Sequence, residues 1–229
     1  LSQRKDPDAY PELTWVGQQF GNLQTIREWS FGRYAPLRQP QPADLPSDIL
    51  LPDARNLALV LNELEHQGRS KELFGHLSRF FPRFDRLSTR VLGGTIQLYL
   101  HEAGFSAPIP ATRLSDGTLR FLTLLAVLLA PSSGSVVCIE EPELGLHPDT
   151  LSMLAELLVE ASSRMQLVVT THSDALVSAL SEHAESVLVC ERIGAGTRLS
   201  RVDSSKLQHW LSDYRLGDIW RIGELGGNP

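Results

Sequence analysis

Residues 136–149 read VVCIEEPELGLHPD. The apolar run Val136–Ile139 ends abruptly in two carboxylates, Glu140 and Glu141, and Pro142 and a short glycine-containing loop follow. No other segment restricts the fold as strongly. A buried strand that delivers paired acids at its C-terminal tip is how nucleotide-hydrolysing α/β proteins hold magnesium and activate water. Taken alone, the segment also fits a strand that ends in a solvated acidic turn.

Two further segments bear on that choice. Leu114-Ser115-Asp116-Gly117-Thr118 precedes a predicted helix over 117–130, apolar nearly all round and therefore buried. Thr170-Thr171-His172-Ser173 closes a second apolar run, Leu167–Val169. Around these the periodicity predicts strand 135–140, helix 149–163, strand 166–171, helix 173–181 and strand 186–191. Such alternation predicts a parallel sheet covered on both faces. An antiparallel edge strand over Ser200–Asp203 and helices over 204–213 and 216–221 are expected next.

The preceding stretch, 1–110, reads as a partly helical accessory region with an irregular, proline-rich start. Proline at 7, 11, 36, 40, 42, 46 and 52 leaves room for short extended pieces and one helix near Leu13–Gln19. Leu57, Val60, Leu61 and Leu64 have helical spacing, as do Leu73, Leu77 and Phe80, with Gly68 between the two patterns. Val91–Leu100 predicts a strand or hairpin turning at Gly93-Gly94. Arg79, Arg83, Arg86 and Arg90 lie beside Phe80, Phe81 and Phe84. That spacing fits a solvated helix edge with core phenylalanines, or a grip on a nucleic-acid backbone.

A net charge of −6 argues against a strongly basic surface spread over the whole chain. Cys138 and Cys190 sit in apolar strand-like runs, lack metal spacing, and read as buried, reduced thiols of a cytoplasmic protein. The apolar stretch Leu119–Ala130 is too short to span a bilayer, so no membrane partner is expected.

In order, LSDGTLRFL, CIEEPELGLHPD and VVTTHS resemble the ATP-binding-cassette class of ATPases. The likeness is greatest to its soluble branch, which holds RecF, the chromosome-maintenance SMC proteins and bacterial RecF-like AAA-type predicted ATPases. It extends weakly over most of the chain, but only 114–173 carries specific motifs. The resemblance implies an α/β P-loop NTPase of ABC/RecF type over 111–229, with a parallel sheet flanked by helices. It implies ATP and Mg²⁺ as cofactors and a homodimer formed around ATP.

By the same resemblance, Glu141 is the general base and Glu140 the magnesium ligand, where the family more often has aspartate. His172 is the switch that senses the γ-phosphate. Ser115, Asp116 and Gly117 form the signature loop that reads ATP bound to a second subunit. Asp116 stands where the transporter pattern has glycine. His147 takes the place of an aspartate whose loop crosses the dimer interface in relatives. Plain local roles also fit: Ser115 as a helix N-cap and the Gly145–Pro148 stretch as a tight turn.

No G-x-x-x-x-G-K-[ST] occurs in the sequence, and that loop normally cradles the phosphates. The expectation is therefore the C-terminal part of a longer ATPase, inactive by itself, whose partners are its own N-terminal half, a second copy, and DNA or an effector protein. DNA repair, chromosome maintenance and phage defence all suit such an engine, and fold does not choose among them. Two other readings are a nucleotide-free interaction module descended from such an ATPase and, less favoured for want of remaining chain, an ATPase-coupled nuclease.

Overall fold

A computed structural model describes residues 6, 8–21, 23–27, 30–130 and 136–227. The chain divides into two compact units, Leu1–Glu140 with Leu158–Val169, and Glu141–Leu157 with Thr170–Pro229. Among the described residues, no helix is long and apolar enough to cross a membrane.

In the first unit, α1 (Pro11–Gly21) leads to the short strand β1 (Gln24–Ile26). The proline-rich stretch after it is ordered around one buried side chain. The Asn56 amide donates to the carbonyls of Pro46 (2.7 Å) and Ile49 (2.8 Å), and its oxygen accepts from the Leu51 N–H (2.9 Å). The stretch includes β2 (Gln41–Pro42). Helix α2 (Leu57–Leu64) buries Leu57, Val60, Leu61 and Leu64, the i, i+3, i+4, i+7 face expected from the sequence. Helix α3 (Ser70–Phe80) follows the interruption at Gly68 and buries Leu73 and Leu77.

Strands β3 (Phe84–Leu92) and β4 (Thr95–Glu102) form an antiparallel hairpin closed by Gly93 and Gly94 at φ +56° and +76°. Two successive positive φ angles are what a two-residue hairpin turn requires. Both β2 and β5 (Ile109–Pro110) pair with β4. Leu87, Ile96, Leu98 and Leu100 are buried on one face, where α2 packs. The expected helix edge through Arg86 and Arg90 is therefore corrected. Both lie on β3, because cross-strand pairing of alternate apolar residues outweighs the near-helical spacing of the arginines.

Helix α4 (Asp116–Leu128) is buried from Thr118 to Leu128 except at Arg120. The Phe121 ring stacks on Phe80 at 3.9 Å between centroids. At the far end, Arg69 donates to the Leu129 carbonyl and Arg164 to that of Leu128 (3.0 Å). These are carbonyls that a helix end leaves without intrahelical partners.

Strand β6 (Val136–Glu140) runs parallel to β1 and also pairs with β7 (Gln166–Thr170), giving the order β1-β6-β7. Val137 and Ile139 are buried; Cys138 on the alternate face is half-buried and Val168 is exposed. The parallel pairing of β6 with β1 is the kind of sheet that the alternation predicts. α5 (Leu151–Ser162), preceded by a 3₁₀ turn at Pro148–Thr150, spans the division between the units.

The second unit holds α6 (Asp174–Ala179), β8 (Leu188–Ile193), β9 (Gly196–Arg201), α7 (Ser204–Leu211) and α8 (Leu216–Arg221). Its core is Val177, Ala184, Val202 and Leu216, with Val189, Leu207 and Trp220 packed around it. Gly217 allows α8 to approach α6 closely, since a Cβ there would lie 2.0 Å from the Asp174 carbonyl oxygen. β8 pairs with β9 as a two-stranded antiparallel hairpin. Its outer face leaves Leu188, Cys190 and Leu199 exposed, so Cys190 is not the buried thiol expected.

One acid is tied to stability. Burial pushes the Glu72 carboxyl up, but hydrogen bonds with Glu160 and Arg69 and the charges of Arg69 and Arg164 hold it below the usual carboxylate range. A carboxyl depressed in the folded state stabilises above its unfolded pKa and loses that contribution as pH falls through the folded value. Glu72→Gln is therefore expected to lower the melting temperature near neutral pH and to have progressively less effect as the pH falls and the folded carboxyl takes up its proton. Thermal unfolding across pH checks this; an equal loss at both ends would assign Glu72 a packing role instead.

Candidate functional site

The predicted site residues fall in both units. In the first, Ser115 is the N-cap of α4: its Oγ accepts from the Thr118 N–H at 3.0 Å. That local role meets the plain expectation and leaves the turn's outer side open, with Ser115 and Asp116 exposed and Gly117 half-exposed. Asp116 does not stand free. Its carboxylate pairs with Arg38, which is 5% exposed. The Arg38 Nε donates to the Phe31 carbonyl (2.7 Å), and Nη1 to the carbonyls of Ala111 (3.3 Å) and Leu114 (2.5 Å). Nothing near Arg38 in the sequence marks this role, because its partners around Ser115 lie more than seventy residues away.

Glu140 ends β6 with its side chain exposed. Among the described residues, no group of three or more His, Cys, Asp or Glu could hold a metal. Magnesium typically takes one or two protein carboxylates and fills its remaining positions with water and phosphate oxygens. An exposed carboxylate at a strand tip fits that donor set.

In the second unit, Glu141 has φ +43°, a left-handed backbone that a residue with a Cβ rarely adopts. Its N–H donates to the Thr170 carbonyl at 2.9 Å, which holds the turn against the end of β7. Its Oε1 lies 3.9 Å from Nε2 of His172. The imidazole is 76% exposed and the carboxylate 31%, so both face accessible space. Strain of this kind persists where the surroundings over-determine it, and it clusters at functional sites.

Glu143 adds a contact that the sequence did not suggest. Its Oε1 accepts from the Thr171 hydroxyl at 2.5 Å, and the Thr171 oxygen in turn accepts from the Ser173 N–H at 2.9 Å. The acidic turn and the histidine loop are thereby stapled together, on either side of Glu141 and His172. Glu143 Oε2 is buried and has no hydrogen-bond partner among the described residues. His147 is exposed; its Nδ1 accepts from the Asp149 N–H at 3.3 Å and caps the turn that starts at Pro148. It makes the expected tight turn.

The arginine and phenylalanine cluster separates. Phe80 stacks on Phe121, Phe84 meets Phe74 edge-on at 5.5 Å, and Arg86 lies beside His101 on the neighbouring strand. The phenylalanines are packing residues.

A family model described as "AAA domain, putative AbiEii toxin, Type IV TA system" matches residues 11–178. No curated protein matches. Among solved structures, one from work on ATP-driven dimerisation and DNA-stimulated activation of SMC ATPases is 13% identical. It has a TM-score of 0.48, with 68% of this chain and 98% of that one covered. An Smc head bound to the C-terminal winged-helix domain of ScpA is 16% identical with a TM-score of 0.48, covering 65% and 46% respectively. The SMC head domain from Thermotoga maritima is 17% identical with a TM-score of 0.44, covering 65% and 51%. The chain thus spans about half the length of the last two.

Proposed function

The chain belongs to this family of AAA domains, ATPase-type chains with the α/β fold of P-loop NTPases, and on that premise we propose that it carries the hydrolytic and signature parts of an ATP-driven dimerising switch. The observation that carries the reading is the Glu141 turn. A strained backbone, a hydrogen bond to the end of β7 and a histidine 3.9 Å away hold one carboxylate in a fixed, accessible position. Glu141 accepts a proton from the water that attacks the γ-phosphate. His172 donates a hydrogen bond to the phosphate side, and the Glu143–Thr171 staple keeps the two loops in register. Glu140 would hold Mg²⁺, which neutralises phosphate charge.

Ser115 and Gly117, at the open start of α4, read the nucleotide held by a second copy, because a helix N-terminus with free N–H groups attracts anions. His147 lies on the loop that carries the signal between copies. The phosphate-cradling loop comes from the chain's own N-terminal half, so residues 1–229 alone do not turn over ATP. The switch acts in the cytoplasm, on DNA or on an effector protein, in repair, chromosome maintenance or phage defence. One observation favours a second reading, a nucleotide-free interaction module: residues 1–229 contain no G-x-x-x-x-G-K-[ST].

The test is subunit mixing in a full-length protein that carries the phosphate loop. Ser115→Arg and Glu141→Gln are each expected to be nearly inactive. Mixed, they should regain part of the activity, since one of two composite sites then has both intact halves. No recovery between proteins shown to exchange subunits would leave a monomeric site, and no nucleotide binding by the parent would favour the interaction module.

A further inference from the structure

Among the described residues, Arg38 is the one charged side chain that is buried. A buried charge is costly unless it is paired and hydrogen-bonded, so its partners say what it is for. Three of the four converge on one turn. Arg38 reaches the carbonyl of Ala111, where a short 3₁₀ turn begins, the carbonyl of Leu114, immediately before Ser115, and the carboxylate of Asp116, immediately after it. Ser115 is therefore the one residue of the turn bracketed on both sides by the same guanidinium. The remaining donor, Nε, holds the Phe31 carbonyl, and the Phe31 ring in turn carries Arg120 of α4 at 5.0 Å over its face. Segment 31–38 and the first two turns of α4 thus grip each other at two points.

We infer that Arg38 is the positioning residue of the signature turn and that Asp116 is its latch, not a nucleotide ligand. This rests on the reading that Ser115 acts on the nucleotide of a second copy. Two physical consequences support it. A lone Asp116 carboxylate would put negative charge where an incoming phosphate has to dock; paired with Arg38, it leaves the turn without net charge. A planar guanidinium also reaches several acceptors in fixed directions, which a lysine ammonium on a flexible stem does not reproduce. Arg38 is itself too deep to meet the nucleotide, with 6% of its side chain exposed. Its effect passes through the backbone of 114–116.

Two measurements test the inference. The first uses residues 1–229 as they stand and follows amide hydrogen exchange in Arg38→Lys and Asp116→Asn. Asp116 is an exposed latch, so its variant keeps the fold even if the arginine variant does not. Protection at Thr118 and Leu119 is expected to fall about tenfold or more, as loss of a charge-assisted hydrogen bond implies. Protection in the β3–β4 hairpin should not change. Unchanged exchange at 118–119, or a uniform loss through the chain, overturns the inference.

The second uses the full-length protein. Asp116→Asn should regain activity when mixed with Glu141→Gln and should fail to do so with Ser115→Arg, since it damages the same half as Ser115. If Ser115→Arg and Glu141→Gln recover together but Asp116→Asn and Glu141→Gln do not, Arg38 and Asp116 do not serve the signature turn. If the Ser115 control pair itself fails, the composite site is wrong, and the exchange data alone decide whether Arg38 sets the turn.

Discussion

Glu141→Gln, in a full-length protein with its phosphate loop, is expected to slow ATP hydrolysis by about 10²–10⁴-fold, the usual contribution of a positioned general base. Glutamine keeps the length and a hydrogen-bonding head but cannot take the proton from water. The left-handed backbone at φ +43° and the N–H bond to Thr170 should survive the change, so nucleotide binding should too. The variant would then hold ATP between two copies and run as a dimer with ATP and magnesium, separating on chelation if the parent is monomeric. Glu140→Gln should instead weaken the magnesium dependence and the dimer together.

Glycine at 141 gives an independent check. It removes the strain of a Cβ at positive φ, roughly 1–2 kcal/mol, against about 0.5–1 kcal/mol of added chain entropy. A Glu141→Gly chain at least as stable as the parent, yet inactive, would mean the strain is kept for chemistry. Parent-rate hydrolysis by Glu141→Gln would leave the acidic pair as metal ligands or a turn.

The largest effect on stability is expected at Phe121. Its side chain is 1% exposed and stacks on Phe80 with rings only 10° from parallel. Truncation to alanine removes that contact and leaves a cavity in the core, at a cost of about 3–5 kcal/mol. That is a large part of the roughly 5–15 kcal/mol that holds a typical domain folded. The melting temperature should fall by roughly 6–20 °C. Phe105, 59% exposed, is the matched control, and alanine there should cost no more than about 0.5 kcal/mol. A Phe121→Ala chain that melts within a degree or two of the parent would contradict the packing described for α4.

The sequence made legible those features whose causes are local. Helical spacing located α2 and α3 and the interruption at Gly68; a glycine pair located the β3–β4 turn; apolar runs ending in Glu140 and before His172 located β6 and β7. Features with distant causes were not legible. The arginines at 79, 83, 86 and 90 follow a nearly helical rhythm, but the strand opposite them decides that 84–92 is extended. β8 has the composition of a parallel strand and pairs with its hairpin partner. The candidate site divides in the same way. Glu140, Glu141, His172 and Ser115 stand out because each ends a run or starts a helix. Arg38 and Glu143 do not, because what makes them notable is a partner reached through space. Nor does any residue type announce that Glu141 sits at positive φ.

Helix α4 has thirteen residues and is pinned at both tips by arginines from elsewhere in the chain. Arg38 holds its entry, while Arg69 and Arg164 hold its last carbonyls. A rod about 20 Å long, apolar along most of its length and fastened at each end, has few ways to bend. Movement as a unit is the mode such fastening favours. A push on the turn at Ser115 would therefore arrive, hardly diminished, at the ion-pair network around Glu72 and Glu160. What sits at that far end is then mechanically part of the signature turn, although nothing in the sequence connects the two.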